Sequence, residues 1–215
     1  MGVRQVKSSG GNVIGTFPSL KMREQIPYES TIERDLLFFL EYDTNVVRYQ
    51  AQPFVITGSS ADGAARSYIP DFQVIRTDSK EIVECKPTAH LNEAHSQQQL
   101  ALGQAWANAN QHLFVVITDT DLRTGHRLAN LKLLWRYSRL CVPPSITSRC
   151  RSILIAQADG LSLEALAAAL SNTSSSFELL PYLYHLLFKH ILHTDLTQPL
   201  SLRTGVQLQL PISPF

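Results

Sequence analysis

The chain has 215 residues, 44% of them hydrophobic and 17% charged, a composition that can bury a core. Its net charge of +1 does not by itself draw the molecule to nucleic acid. No apolar run reaches the roughly 18 residues that a membrane span needs, and the first residues lack the apolar segment of a secretory signal. The three cysteines form no CxxC pair, so we expect no disulfide framework and no thiolate zinc site, and a reducing cytoplasm fits.

Residues 1–27 are predicted to form an N-terminal arm, because serine and glycine residues interrupt any regular pattern. Lys21 and Arg23 lie in this arm, where their side chains could contact a phosphate backbone. A solvated tail explains the same residues about as well.

A helix is predicted from Ser30 to about Tyr42, because apolar residues recur there on one face. Ser30 and Glu33 have the spacing of a capping box, in which the glutamate reaches back to the serine amide. Glu33 also borders the apolar face, from which it could point toward a site on the sheet. Local rules favour the cap.

Two short strands joined by a polar turn follow, and they contain most of the candidate catalytic residues. The first contains residues 68–72 (Tyr-Ile-Pro-Asp-Phe) and the second ends at Glu84-Cys85-Lys86. Because side chains alternate across a strand, Asp71 lies opposite the apolar face of the first, and Glu84 and Lys86 share a face of the second. Two carboxylates and an ammonium are thereby predicted on one side of the pair, an arrangement that a divalent cation stabilises.

The residue types in this pair suit Mg²⁺, for which Mn²⁺ can substitute. Mg²⁺ takes oxygen ligands and uses one or two protein carboxylates with water and substrate phosphate. Asp71 and Glu84 are the candidate ligands, with the Cys85 carbonyl as a third and Glu33 as a further oxygen from the helix. If the reaction is hydrolysis of a phosphodiester, Lys86 could orient or deprotonate the water that attacks the phosphate. The alternative is that these strand-end charges only face solvent, but their common face favours a nuclease.

The remaining elements extend the sheet. We predict a helix over residues 93–110, a buried central strand over 112–118 and a helix over 126–137. A helix, three strands, a helix, a strand and a helix make a mixed sheet flanked by helices. A basic stripe without acidic residues lies here, although a solvated helix face fits it equally well. The residues of this stripe that we predict to contact DNA are Arg123, Arg127, Lys132 and Arg136.

The best domain boundary is the proline-containing segment 141–145. We therefore predict three parts, an arm (1–27), a nuclease domain (28–142) and a C-terminal domain (143–215). Three short helical patterns and a β-ribbon in the last part predict a winged helix, which can bind DNA or protein. Its third helix carries little charge, which mildly favours a protein partner.

Several motifs together resemble the TnsA family, the endonuclease subunit of two-component cut-and-paste bacterial transposases, some of them in CRISPR-associated elements. The resemblance covers nearly the whole chain and includes the Tyr-Ile-Pro-Asp-Phe and Glu-Cys-Lys-Pro motifs. The segments that carry it are residues 11–15, 17–21, 29–35, 40–43, 52–53, 68–72, 84–87 and 195–200.

The resemblance implies an α/β restriction-endonuclease-like fold of the PD-(D/E)xK type. It also implies Mg²⁺-dependent cleavage of the non-transferred strand at the 5′ ends of a transposon, on double-stranded DNA. The partners it implies are a TnsB-type transposase and a TnsC-type AAA+ ATPase, the latter contacted through the C-terminal region.

By this resemblance Glu33, Asp71, Glu84 and Lys86 take the catalytic positions. Some members carry glutamine where Glu84 stands, and the glutamate here favours activity. For Glu33 the resemblance favours the ligand role over the cap. Two alternatives stay open, a stand-alone repair or restriction nuclease, and a non-catalytic adaptor that binds DNA or an ATPase.

Overall fold

The computed structural model describes residues 13–59, 65–157, 159–171 and 177–209. The chain divides into two compact units, Met1–Thr124 and Gly125–Phe215. The boundary predicted from the sequence lies later, between residues 142 and 143. The structure divides the chain earlier because the helix predicted over residues 126–137 packs within the second unit.

The first unit is built on a mixed four-stranded sheet. Its described elements are β1 (Gly15–Pro18), β2 (Gln25–Tyr28), α1 (Thr31–Tyr42), β3 (Val46–Ala51), β4 (Ile56–Ser59), β5 (Ala65–Tyr68), β6 (Phe72–Arg76), β7 (Lys80–Lys86), a 3-10 turn (Thr88–His90), α2 (Ala94–Ala109), β8 (Leu113–Thr118) and α3 (Asp119–Arg123). The strand order is β3-β6-β7-β8, with β7 and β8 parallel and the other neighbours antiparallel. The predicted mixed sheet flanked by helices is confirmed, and it fits a restriction-endonuclease-like core.

Fully buried residues of β6 and β7 anchor the centre of this sheet. Phe72, Val74 and Ile82 have no exposed surface, and burying side chains of this size stabilises a fold by about 1.5–3 kcal/mol each. The ends of β6 and β7 near the predicted catalytic residues are therefore attached to a fully buried part of the unit.

The N-terminal arm is more ordered than the sequence predicted. β1 and β2 pair as an antiparallel hairpin from Gly15↔Tyr28 to Pro18↔Gln25, so the expectation of an arm without elements is wrong for this stretch. Residues 1–12 lie outside the described residues. The hairpin is held by the buried carboxylate of Glu41, which accepts hydrogen bonds from Ser19 Oγ, Tyr49 Oη and the backbone amides of Leu20 and Lys21.

Removing this carboxylate should destabilise the first unit strongly. Glu41→Ala leaves two buried hydroxyls and two turn amides without their acceptor, and we expect a loss of about 3 kcal/mol. Glu41→Gln keeps the side-chain shape but weakens the bonds, so it should lose less. Chemical denaturation measures both, and an alanine variant as stable as wild type would contradict this assignment.

Two further expectations about strands need correction. Asp71 lies just before β6 and Tyr68 ends β5, so they do not share one strand as predicted. Strand β8 is apolar but is not central, because among the described residues it pairs with β7 alone. Its first residue, Leu113, is 56% exposed. A continuous apolar run therefore indicated a strand here without indicating its place in the sheet.

The second unit contains short helices and a small antiparallel sheet of order β10-β11-β9. Its described elements are α4 (Arg127–Trp135), α5 (Pro144–Ile155), β9 (Leu161–Ser162), α6 (Leu163–Leu170), a 3-10 turn (Phe177–Leu179), α7 (Leu180–Phe188), β10 (Leu192–His193) and β11 (Gly205–Leu208). Ser162 caps α6, its Oγ accepting from the Ala165 amide at 3.1 Å. The winged helix itself stays a prediction.

Helix α4 belongs to this unit because its side chains contact α7 and the loop after β10. The rings of Trp135 and Phe188 are 5.7 Å apart. Asn130 is buried and donates to the carbonyls of Leu196 and Gln198 at 2.8 and 2.7 Å. In the part of the chain that the structure describes, no helix is long and apolar enough to cross a membrane.

Candidate active site

A cleft of about 570 Å³ opens in the first unit between the start of α1, the end of β3 and the strands β6 and β7. It gathers every residue that the sequence assigned to catalysis. The polar residues that line it include Glu29, Glu33, Gln52, Asp71, Glu84, Lys86 and Gln99. The four residues predicted to be catalytic therefore lie together in the first unit.

Asp71 is fixed at the entrance to β6 by contacts on both sides of the strand. The Cys85 amide of β7 donates to Asp71 Oδ2 at 2.6 Å. The Gln52 amide, just after β3, donates to the Asp71 carbonyl at 2.9 Å. One carboxylate oxygen is thus held by the backbone, which fixes the direction in which the other can act.

Glu84 and Lys86 lie on one face of β7, as strand alternation requires. Lys86 Nζ is 3.0 Å from Glu84 Oε1. Glu84 is only 2% exposed, and its second oxygen, Oε2, is buried without a hydrogen-bond partner among the described residues. A buried carboxylate oxygen without a hydrogen-bond partner destabilises the fold unless a cation or a hydrogen-bond donor binds it.

Gln99 is a site residue that the sequence did not single out. It lies on α2, and its Oε1 accepts a hydrogen bond from Lys86 Nζ at 2.8 Å. The ammonium is therefore held between Glu84 and Gln99. The only local signal was a run of glutamines at 97–99, and helical spacing alone does not show which of them faces a strand.

Glu33 combines features of both roles that the sequence left open. The Ser30 hydroxyl accepts from the Glu33 amide at 3.1 Å, which is the first half of a capping box. Glu33 Oε2 accepts from the amide of Glu29 at 2.8 Å, instead of from the predicted Ser30 amide. Because Glu33 is buried and also lines the cleft, the helix-start contact is compatible with a ligand role.

Three carboxyl groups of the cleft, those of Glu33, Asp71 and Glu84, are costly to ionise. Burial raises the pKa of Glu33 and of Glu84, the latter despite the opposing charge of Lys86. Burial also raises the pKa of Asp71 well above its usual range, reinforced by the negative charges of Glu84 and Glu33. A bound cation removes this cost, because it stabilises the ionised forms.

The donor set fits a hard divalent ion rather than a thiolate-bound metal. Among the described residues, no three His, Cys, Asp or Glu side chains already stand as a metal-binding group. Mg²⁺ needs only one or two protein carboxylates with water and phosphate, which Asp71 and the unpartnered Glu84 Oε2 offer. Burial raises the pKa of the Cys85 thiol well above its usual value, so its carbonyl stays the predicted contribution of that residue.

Residues 43–119 match the family model described as TnsA-like endonuclease N terminal. This stretch of the chain is similar to a TnsA-like endonuclease domain. The match includes Asp71, Glu84 and Lys86, whereas Glu33 and the second unit lie outside it. No match was found among curated proteins.

Two of the predicted DNA contacts are engaged within the first unit's own fold. Lys21 Nζ donates to the main-chain carbonyls of Asp43 and Val46. Arg123 Nε donates to the buried Asp35 at 2.9 Å, and its Nη2 donates to Thr31 Oγ1 at 2.7 Å, which joins α3 to α1. Both side chains therefore have a structural role that sequence alone did not reveal.

The other predicted DNA contacts are divided between the two units. Arg23 is exposed in the β1–β2 turn, with φ of +57°. Arg127 and Arg136 are exposed at the two ends of α4, and Lys132 is half-buried on the same helix. The basic stripe read from the sequence is thus not one surface of the nuclease unit, and these contacts stay predictions.

Proposed function

We propose that this chain is a Mg²⁺-dependent DNA endonuclease that acts as the TnsA-type subunit of a cut-and-paste transposase. It cleaves the non-transferred strand at the 5′ ends of the transposon. The observation that carries this proposal is the unpartnered Glu84 Oε2, buried beside Asp71 and Lys86 inside a TnsA-like endonuclease domain.

Asp71 and Glu84 would hold the cation, and Glu33 would add an oxygen from α1. Mg²⁺, when bound, supplies charge neutralisation at the phosphodiester and acidifies water. The Lys86 ammonium, held by Gln99 and Glu84, orients the attacking water and faces the charge that develops on the phosphate. Because one Asp71 oxygen is held by the Cys85 amide, the carboxylate needs little reorganisation when substrate arrives.

The partners of this activity are a TnsB-type transposase and a TnsC-type AAA+ ATPase. We assign contact with the ATPase to the second unit. Its helix α7 carries little charge, which suits a DNA groove poorly, and most of its leucines are buried within the unit, so the partner surface lies on other residues. This assignment rests on the family resemblance and on composition.

Cleavage of end-labelled transposon-end DNA tests the proposal. We expect a nick at the 5′ end of the element when Mg²⁺ and the partner subunits are present, and none with a chelator. Mn²⁺ should restore the nick. Cleavage that proceeds unchanged in chelator would contradict the metal-dependent mechanism, and cleavage at arbitrary sites without partners would favour a stand-alone nuclease.

A further inference from the structure

Gln52 has a backbone conformation that its residue type does not favour. Its φ is +45°, in the left-handed region that glycine and, less often, asparagine occupy. Pro53 follows it and disfavours the right-handed helical region, but extended conformations would remain open to a free chain. Residues held in this way cost about 1–3 kcal/mol and persist only where surrounding contacts fix them.

The contacts that fix Gln52 reach the backbone of Asp71 on one side and, through Glu29, the carboxylate of Glu33 on the other. Its amide donates to the Asp71 carbonyl at 2.9 Å. Its side-chain Nε2 donates to Glu29 Oε1 at 2.8 Å. The Glu29 amide in turn donates to Glu33 Oε2 at 2.8 Å.

These bonds form a continuous bridge from the sheet to the helix. At one end is Asp71, next to the buried first residue of β6, and at the other is Glu33 in the first turn of α1. Glu29 also lines the cleft, and the Gln52 side chain helps to hold its carboxylate in a fixed direction. With this left-handed backbone, Gln52 donates from its amide to the Asp71 carbonyl and from its side chain to Glu29 at the same time.

We propose that Gln52 is a positioning residue that fixes the helix carboxylate Glu33 against the strand carboxylate Asp71 and thereby raises the affinity of the cleft for Mg²⁺. This inference rests on the proposed metal-dependent function. Residues that orient metal ligands typically change metal affinity or activity 10- to 100-fold when they are replaced. Gln52 itself contacts no reacting group in this assignment.

Two substitutions separate the side chain of Gln52 from its backbone conformation. Gln52→Asn accepts the left-handed backbone but is one methylene shorter, so it does not reach Glu29. Gln52→Gly removes the side chain and relieves the strain. We expect both full-length variants to bind Mg²⁺ at least about tenfold more weakly in a calorimetric titration, with thermal stability of the metal-free protein equal to or above that of wild type.

Gln111 offers a matched control within the same unit. It is also a glutamine in the left-handed region, with φ of +57°, but it is exposed in the turn between α2 and β8. Gln111→Asn and Gln111→Gly should leave Mg²⁺ affinity unchanged. In cleavage assays the Gln52 variants should need about tenfold more Mg²⁺ for half-maximal rate and recover most of the rate at saturation.

The outcomes are distinguishable. Wild-type affinity in both Gln52 variants overturns the positioning role and leaves the proposed nuclease intact. Equal weakening in the Gln111 pair overturns it as well, since the effect would then come from turn conformation in general. A wild-type protein that binds no Mg²⁺ and cleaves without it overturns both this inference and the proposed function.

Discussion

Asp71→Asn should abolish DNA cleavage, lowering the rate on the order of a thousandfold or more. Asparagine keeps the shape of aspartate, and its Oδ1 can still accept the hydrogen bond that the Cys85 amide now donates to Asp71. What it removes is one negative charge from the cleft that holds Glu84 and Glu33. The loss of rate should therefore come from a missing metal ligand rather than from a disturbed fold.

The same substitution should make the metal-free protein more stable. In wild type, burial raises the pKa of Asp71 well above its usual range, and the negative charges of Glu84 and Glu33 raise it further. Replacing the Asp71 carboxyl with a neutral amide relieves both costs, which we expect to stabilise the fold by about 1 kcal/mol. For a chain of this size that corresponds to roughly 2–4 °C in unfolding temperature.

Thermal melts in chelator and end-labelled cleavage measure the two effects on the same preparation. Asp78→Asn is the matched control, because Asp78 is exposed in the turn between β6 and β7. That control should change neither quantity. An Asp71→Asn protein that is inactive but clearly less stable than wild type would indicate a structural role for this carboxylate.

The sequence was sufficient to predict the strand pair and its charged face. Alternation along β7 places Glu84 and Lys86 together without any tertiary information, and the structure brings them to 3.0 Å. The Ser30 cap was equally local, because a cap involves residues only a few positions apart. Such features depend on neighbouring residues and can therefore be read from the chain.

Contacts between distant segments could not be read in this way. Gln99 and Gln52 reach the site from α2 and from the end of β3, and both are glutamines, a residue type common on any surface. Lys21 and Arg123 were interpreted as DNA contacts because a cation in a predicted arm or in a basic stripe has no visible partner in sequence. Their partners, such as Asp35 for Arg123, become evident only in the folded unit.

The stabilisation that Mg²⁺ gives to the protein should increase from weakly acidic to neutral pH. The folded-state pKa values of Glu33, Asp71 and Glu84 are raised above their unfolded values. Their contribution to stability is therefore full below about pH 4, the ordinary range of carboxyl groups, and is lost as pH rises through the folded-state values.

Mg²⁺ binds the ionised carboxylates, so protons compete with it at low pH. At a concentration roughly a hundred times its dissociation constant, a ligand stabilises the folded state by about 2.7 kcal/mol. We expect a Mg²⁺-induced rise in unfolding temperature of roughly 5–10 °C near pH 7.5 and little rise at pH 5.

Comparison of melts with and without Mg²⁺ at each pH isolates this effect from the other titrating groups. Asp43 shows why this comparison is needed, because it titrates in the opposite direction. Burial alone would raise the pKa of Asp43, but the Asn45 amide and the Arg76 guanidinium hold that pKa below its usual value. Its contribution to stability is therefore lost as pH falls, the opposite direction, and is the same with and without Mg²⁺.

The double variant Asp71→Asn/Glu84→Gln gives the decisive control. With both strand carboxylates neutral, we expect no metal-induced rise in unfolding temperature at any pH. Its metal-free stability should also fall less than that of wild type between pH 5 and pH 7.5, because fewer raised carboxyl groups ionise. A wild-type Mg²⁺ effect that is equally large at pH 5, or that persists in the double variant, would place the metal outside this cleft.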